Sequence, residues 1–176
     1  MRGKVPDAIP TPRLVLRRPR RRDAAAILAA YAGDPEVTRE LTWSTHRSLA
    51  DTHAFLDAAD RGWATGSDLP FLAWLGDELV GATGLTRVGP DRVRTGYLVA
   101  RPRWRQGLAS EMLAAMVAAA FVRLGTRAVE ALVEPGHAAS IAVLRKAGFV
   151  PDGTATGVHP NRGPEVRALE RYVLRR

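Results

Sequence analysis

The spacing of apolar residues along this chain changes repeatedly, and each change predicts a different kind of element. RLVLR (Arg13 to Arg17) alternates polar and apolar positions, the period of a half-buried strand. Asp23 then precedes AAAILAAYAG, which predicts a helix capped by Asp23 and ended at Gly33. Asp34-Pro35 restarts a short helix with proline at its tolerated first position. In SLADTHAFLDAADRGWA, Ser48 stands at the cap, and Leu49, Thr52, Phe55, Leu56 and Trp63 can share one face. The period then shortens. PFLAWL, ELVGATGLTRV and VRTGYLVA read as three strands separated by Gly76-Asp77 and Gly89-Pro90-Asp91, an antiparallel meander. A helix from about Gly107 to Leu124 follows, with Leu108, Met112, Leu113, Met116, Val117, Ala120, Phe121 and Leu124 as its apolar stripe. RAVEALVE is another strand, ASIAVLRKAGF another helix closed by Gly148, and EVRALERYVL a final strand.

The unit from Val93 to Val133 is strand, helix, strand, long enough for a right-handed parallel crossover. The expected architecture is therefore one α/β domain over residues 1–176, with a mixed sheet. Hydrophobic residues at 46% and charged residues at 25% agree with an ordinary globular core. No apolar run is long enough for a membrane span, and MRGKVPDAIP lacks the apolar centre of a signal peptide. The expectation is a cytoplasmic protein with no membrane partner. Cysteine is absent, which excludes thiol nucleophiles, disulfides and cysteine metal sites. His46, His53, His137 and His159 show no ligand spacing, so no metal is expected. The net charge of +8 is almost all arginine, since Lys4 and Lys146 are the only lysines. Such a skew supports an anionic ligand only weakly and does not call for nucleic acid.

One stretch raises a sharper question. RPRWRQGLASE, Arg101 to Glu111, crowds arginines, a glutamine and a glycine into the entrance of the longest apolar helix. The first amides of a helix have no internal acceptors and its aligned dipoles make that end positive. Gly107 clears the approach to the backbone, Ala109 keeps the next turn narrow, and Arg103 and Arg105 can bring charge to the rim. A plain capped helix fits the same residues. The nucleotide P-loop does not, because its lysine and following Ser or Thr are missing.

YLVARPRWRQGLASE resembles the acetyl-CoA loop of the GNAT N-acetyltransferase superfamily, Arg/Gln-x-x-Gly-x-Gly/Ala, with Gly107 and Ala109 in register. Trp104 at the first position is similar to the RimJ/RimL-type branch, which acetylates protein N-termini. HAASIAVLRKAGF resembles the Asn-x-x-Ser…Leu-x-Lys-x-Gly-Phe segment of that branch through Ser140, Leu144, Lys146, Gly148 and Phe149. TPRLVLRRPRRRDAAAILAAYAGDPEV is similar to its opening strand, acidic cap and Asp-Pro-Glu-Val turn. The resemblance spans Thr11 to Phe149 and implies the GNAT acyl-CoA N-acyltransferase fold, a mixed, mostly antiparallel sheet flanked by helices.

It also implies a chemistry: an amine attacks the thioester of acetyl-CoA directly, without an acyl-enzyme. The strand VRTGYLVA should splay from its neighbour, leaving amides near Leu98 and Val99 for the thioester carbonyl. Trp104, Arg105, Gln106, Gly107, Leu108, Ala109 and Ser110 would wrap the pyrophosphate. Ser140 falls where the branch places a serine beside the sulfur, as proton donor to the leaving thiolate; its alternative role is hydrogen bonding within the helix end. His137 replaces the asparagine that caps this helix and touches the cofactor arm. It is either an imperfect cap or a proton-transfer group. Glu130 and Glu134 share a face of their strand, and either could take the amine proton through water, although ion-paired surface carboxylates are commoner; Glu134 is the candidate base.

Deprotonating a lysine amine at neutral pH costs about 4.6 kcal/mol, an α-amine about 1.1 kcal/mol. A site without an obvious strong base therefore suits a protein N-terminus, a ribosomal protein being the substrate the branch suggests. A small-molecule amine, or binding without turnover, are the competing readings. Trp43, Trp63 and Trp74 could line an acceptor groove or sit in the core, and VHPNRGPEV reads as a mobile loop beside the site. RRPRRR (Arg17 to Arg22) reads as a solvated turn rather than a docking patch. A homodimer through an edge strand is the expected assembly.

Overall fold

Short turns at Gly76, with φ of 59°, and at Gly89–Asp91 fold the middle of the chain back on itself twice. A computed structural model describes residues 4–158 and 160–176. Its strands are β1 (Ala8–Pro10), β2 (Val15–Arg17), β3 (Asp68–Leu75), β4 (Glu78–Arg87), β5 (Arg92–Val99), β6 (Ala128–Val133), β7 (Val150–Val158) and β8 (Val166–Arg175). They form one sheet in the order β1-β2-β3-β4-β5-β6-β8-β7, and every neighbouring pair is antiparallel except β5 with β6. The mixed, mostly antiparallel sheet and the parallel crossover are thus as the sequence predicts.

The helices are α1 (Ala24–Ile27, continued by a wide turn over Leu28–Ala32), α2 (Pro35–Thr38), α3 (Leu49–Thr65), α4 (Leu108–Ala118, continued by a second wide turn over Ala119–Arg123) and α5 (Ala138–Lys146). Two of the predicted helix starts are capped by side chains. The Asp34 carboxylate accepts from Glu36 N at 2.9 Å, and Ser48 Oγ and the Asp51 carboxylate cap α3 reciprocally. The third is corrected. Asp23 does not cap α1 with its side chain; its buried carboxylate accepts from Arg20 N at 2.7 Å and from both terminal nitrogens of Arg17. A paired guanidinium competes better for a carboxylate than a lone amide.

Apolar side chains pack in two clusters. One joins Leu108, Met112, Leu113 and Met116 of α4 and Leu144 of α5 to Phe71, Val80, Val93 and Val129 of the sheet. Each fully buried side chain of this size contributes about 1.5–3 kcal/mol. The other joins Ile27, Tyr31 and Leu56 of the N-terminal helices to Leu72, Leu79 and Ala100, with Leu98 partly buried beside them. The expected face of α3 holds for Thr52, Leu56 and Trp63, but Leu49 in the first turn is 46% exposed. Trp63 belongs to the core and donates to Pro70 O at 3.0 Å; Trp74 packs under the Arg17 guanidinium, 4.5 Å from its ring centre. Four of the five arginines from Arg17 to Arg22 are ion-paired within the molecule: Arg17 with Asp23, Arg18 with Asp60, Arg20 with Asp7 and Arg21 with Asp57. Among the described residues, no helix is long and apolar enough to cross a membrane.

Candidate active site

The site begins where β5 and β6 part. Their parallel pairing lasts three residues, Arg92 with Ala128, Val93 with Val129 and Arg94 with Glu130. Beyond Arg94 the pairing of β5 is with β4 alone, through to Val99. Ala100 N donates to Val80 O at 2.8 Å, and alternation along an antiparallel ladder then turns Leu98 N–H towards β4 and Val99 N–H towards the gap. The two adjacent amides are thus not equivalent.

At the end of β5 the chain enters the arginine-rich loop. Arg105, with φ of 61°, and Gly107, with φ of 75°, are both left-handed, and Arg105 is the one described non-glycine residue in that region. Alternating handedness turns successive amides to one side, the geometry of an anion-binding concavity. The first helical hydrogen bond of α4 is Glu111 N to Gly107 O, and no side chain caps this end. Leu108, Ala109 and Ser110 therefore present amides without helical acceptors at the positive end of the dipole. The Trp104 ring lies exposed, and its indole N–H donates to Val99 O at 2.7 Å, tying the loop to the gap.

The loop's own arginines are mostly engaged elsewhere. Arg103 forms two bonds to Glu78, one of 2.9 Å, and Arg101 lies 3.1 Å from Asp34. Arg105 alone has no carboxylate partner among the described residues. A different arginine holds the loop in place. Arg13 Nη1 donates to Gln106 O at 2.8 Å, while Glu111 accepts from Arg13 Nε at 2.7 Å, Arg13 N at 2.8 Å and Thr11 Oγ1 at 2.6 Å. Burial pushes the Glu111 carboxyl up, but the Thr11 and Arg13 hydrogen bonds outweigh it and hold the group below the ordinary range.

On the far side of the gap stands the N-terminus of α5. His137 Nδ1 accepts from Ser140 N at 3.2 Å, so the histidine does cap the helix, and a neutral ring carries its proton on Nε2. The Tyr97 hydroxyl of β5 reaches across to this helix, 3.0 Å from Ser140 Oγ and 3.1 Å from Ser140 O. Burial pushes the Tyr97 phenol up, opposed in part by the bond to Ser140, so the hydroxyl keeps its proton. Of the two candidate carboxylates, Glu130 is buried between Arg92 and Arg94, at the closed end where the strands still pair. Glu134 lies just past the end of β6 and bonds Arg167 Nη1 at 3.1 Å. A cavity of about 690 Å³ lies between α5 and strands β7 and β8, lined by Ile141, Arg145, Pro151 and Tyr172; it includes neither Val99 nor the arginine-rich loop. No cluster of three or more His, Asp or Glu among the described residues could hold a metal ion.

Residues 13–150 match the family described as the acetyltransferase (GNAT) domain. The chain belongs to that family. It is 32% identical over 151 residues to the uncharacterized N-acetyltransferase YoaA of Bacillus subtilis, a match covering 81% of this chain and 82% of YoaA. Its fold superposes on RimJ of Mycobacterium smegmatis in complex with CoA-disulfide, with a TM-score of 0.85 at 24% identity, covering 99% and 90% of the two chains. It also superposes on RimL, the ribosomal L7/L12 alpha-N-protein acetyltransferase, with a TM-score of 0.83 at 18% identity, covering 96% and 97%. The protein is therefore an acetyltransferase of the GNAT family with the RimJ/RimL-like architecture that its motifs imply.

Against that background, the residues expected to act together fall into three groups. Val99, the amides after Gly107 and Ser140 border one gap. Leu98 sits beside it with its amide directed into the β4 ladder. Glu134 stands at the open end but is already ion-paired. Sequence reasoning gives Tyr97, Arg13 and Glu111 no part in the site. The signal for Tyr97 is its position two residues before Val99 on the same face of the strand. Nothing in the sequence marks Arg13, which meets Glu111 only through the fold.

Proposed function

We propose that this acetyltransferase moves an acetyl group from acetyl-CoA to the α-amine of a protein N-terminus, a ribosomal protein being the class suggested by RimL. The observation that carries this reading is the convergence on one gap of a free strand amide, an anion-binding loop and a paired tyrosine and serine. The residues fit the cosubstrate. The amides of Leu108, Ala109 and Ser110, with the left-handed turns at Arg105 and Gly107, would hold the pyrophosphate, and Arg105 and Gln106 would flank it. His137, at the head of α5, would border the cofactor arm while capping the helix. Acetyl-CoA supplies the activated acyl group. Val99 N–H would donate to the thioester carbonyl oxygen as negative charge builds there.

The leaving thiolate needs a proton, and we assign that to Ser140 with Tyr97 behind it. Tyr97 has one proton and two targets on Ser140. When the phenol donates to Ser140 O, the serine hydroxyl is free only by giving up Tyr97 as its acceptor. When the phenol donates to Ser140 Oγ, the serine proton is released towards the sulfur. Tyr97 thus orients the serine proton; as that proton passes to the sulfur, Ser140 Oγ takes the phenol proton, and Tyr97 recovers one from water. Glu134 would accept the amine proton through water, a modest demand for an α-amine at about 1.1 kcal/mol. The expected homodimer would use β7 at the sheet edge, where Val150 and Val158 lie exposed.

Release of free CoA, read with a thiol-reactive dye, tests the reading, and the chain has no cysteine to add background. Peptides with free N-termini should give turnover. Ser140→Ala should lose most of it, about 10²-fold, with CoA affinity unchanged. Turnover only with compact small amines, or none with any amine, would contradict the proposal.

A further inference from the structure

The β7–β8 hairpin runs on past the end of β6. The last β6–β8 pair is Val133 with Glu170, but β7 and β8 stay paired through Ala155–Leu169, Thr156–Ala168, Gly157–Arg167 and Val158–Val166. Four further pairs carry the hairpin about 13 Å beyond β6. Its tip does not end in solvent. Asn161 Oδ1 accepts from Thr45 N at 2.8 Å and Thr45 Oγ1 at 3.1 Å, and Asn161 Nδ2 donates to Thr38 O and Trp43 O, both at 2.8 Å. Both lone pairs and both protons of this amide are thus engaged, across more than a hundred residues of sequence.

The segment it grips, between α2 and α3, belongs to the other wall of the gap. His46 N donates to Ala32 O at 2.9 Å, and Trp43 packs against the apolar cluster that also takes in Ala32 and, from the end of β5, Leu98 and Ala100. In the sheet order, β5 and β6 flank the gap and β8 and β7 follow β6. A bond from the hairpin tip to this segment therefore crosses the open end of the gap, on the sheet face covered by the N-terminal helices. The Arg167–Glu134 pair fastens the hairpin to the end of β6 on the near side. The result is a closed hoop of chain: the end of β5, the α2–α3 segment, Asn161, the hairpin and the end of β6. The arginine-rich loop and α5 occupy the opposite face, with Tyr97, Val99 and the α4 cluster.

We infer that Asn161 is a specificity-determining residue that clasps the hairpin over the acceptor entrance, so that the acceptor enters as a narrow, extended chain end. This rests on the reading of the site as one that acetylates α-amines. A peptide N-terminus threads such a hoop with its backbone alone. A compact ring-bearing amine must wait for the clasp to open.

The test compares wild-type protein with Asn161→Ala and Asn161→Asp. Aspartate keeps the shape and the oxygen that accepts from Thr45 but replaces the nitrogen that donates to Thr38 O and Trp43 O by a second oxygen, and it guards against a folding defect in the alanine variant. The probes are a short unacetylated peptide, a compact amino sugar, CoA affinity by calorimetry, and hydrogen exchange at the Thr45 amide. Thr45 exchange should quicken by about tenfold in the alanine variant as its acceptor is lost. CoA affinity should not change. The ratio of kcat/KM for peptide over amino sugar should fall by about tenfold in both variants, through a raised kcat/KM for the amino sugar. An unchanged ratio alongside faster Thr45 exchange overturns the clasp and leaves the α-amine reading standing. A wild-type preference for the amino sugar overturns both.

Discussion

Replacing Glu111 should separate the support of the arginine-rich loop from the chemistry it serves. Glu111 is 11% exposed and accepts three hydrogen bonds, from Thr11 Oγ1, Arg13 N and Arg13 Nε, while Arg13 is 46% exposed. Glu111→Gln keeps an oxygen for Thr11 and the Arg13 amide but faces an amide nitrogen to the guanidinium. Because that ion pair is half in water, its loss costs about 1 kcal/mol. Glu111→Ala removes all three bonds and should cost about 2–3 kcal/mol, a fall in melting midpoint of about 4–12 °C for a chain of this size. The functional loss follows from Arg13. Once released it no longer fixes Gln106 O, and ordering the loop again on binding costs about 1 kcal/mol, or about fivefold in CoA affinity. The pH dependence has a definite sign. The Glu111 carboxyl is held below its ordinary value, so its contribution is complete above the ordinary glutamate range and is lost as pH falls through the lowered one. Urea unfolding of wild type and Glu111→Gln should therefore differ most near neutrality and converge only as pH falls below the ordinary glutamate range and through the lowered Glu111 value. A stability gap that stays constant into acid, or normal CoA affinity in Glu111→Ala, would refute the reasoning.

Three other substitutions probe separate parts of the account. Tyr97→Phe should lower kcat about tenfold with unchanged CoA affinity, and combining it with Ser140→Ala should be no worse than Ser140→Ala alone; steady-state kinetics on the cycle decides, and full additivity would separate the pair. Gly107→Ala places a side chain at φ of 75°, at a cost of about 1 kcal/mol, but its Cβ would meet only Arg13 Nη2 at 3.5 Å. The fold should survive while CoA affinity in calorimetry drops by about tenfold. Glu130→Gln strands Arg92 and Arg94 around a buried amide, and thermal unfolding should show a loss of about 2 kcal/mol with catalysis intact, since this pair lies at the closed end of the gap.

How much of this was readable beforehand depended on whether the signal was local. The β3–β5 meander was plain because glycine turns and a two-residue period act within a few residues. The helix starts at Asp34 and Ser48 were plain for the same reason. Asp23 misled because its partner, Arg17, belongs to another element and outcompetes the local amide. VPDGTATGV carries no apolar alternation because β7 is an edge strand that is largely exposed, so its pairing with β8 came only from the structure. The arginine-rich loop was legible as an anion site from its glycine and its place before a helix. Its support by Arg13 and Glu111 was not, since 98 residues separate them. Tyr97 with Ser140 and Asn161 with Thr45 are hidden in the same way. The loop around Asn161, expected to be mobile, is instead hydrogen-bonded across the gap; His159 lies outside the described residues.

The central claim is that the acetyl group goes to an α-amine. A peptide with a free N-terminus and an internal lysine, incubated with acetyl-CoA and the protein and then fragmented in a mass spectrometer, reports the site of transfer directly. The account predicts acetyl on the N-terminal residue with the lysine unmodified. Acetyl on the lysine alone would contradict it.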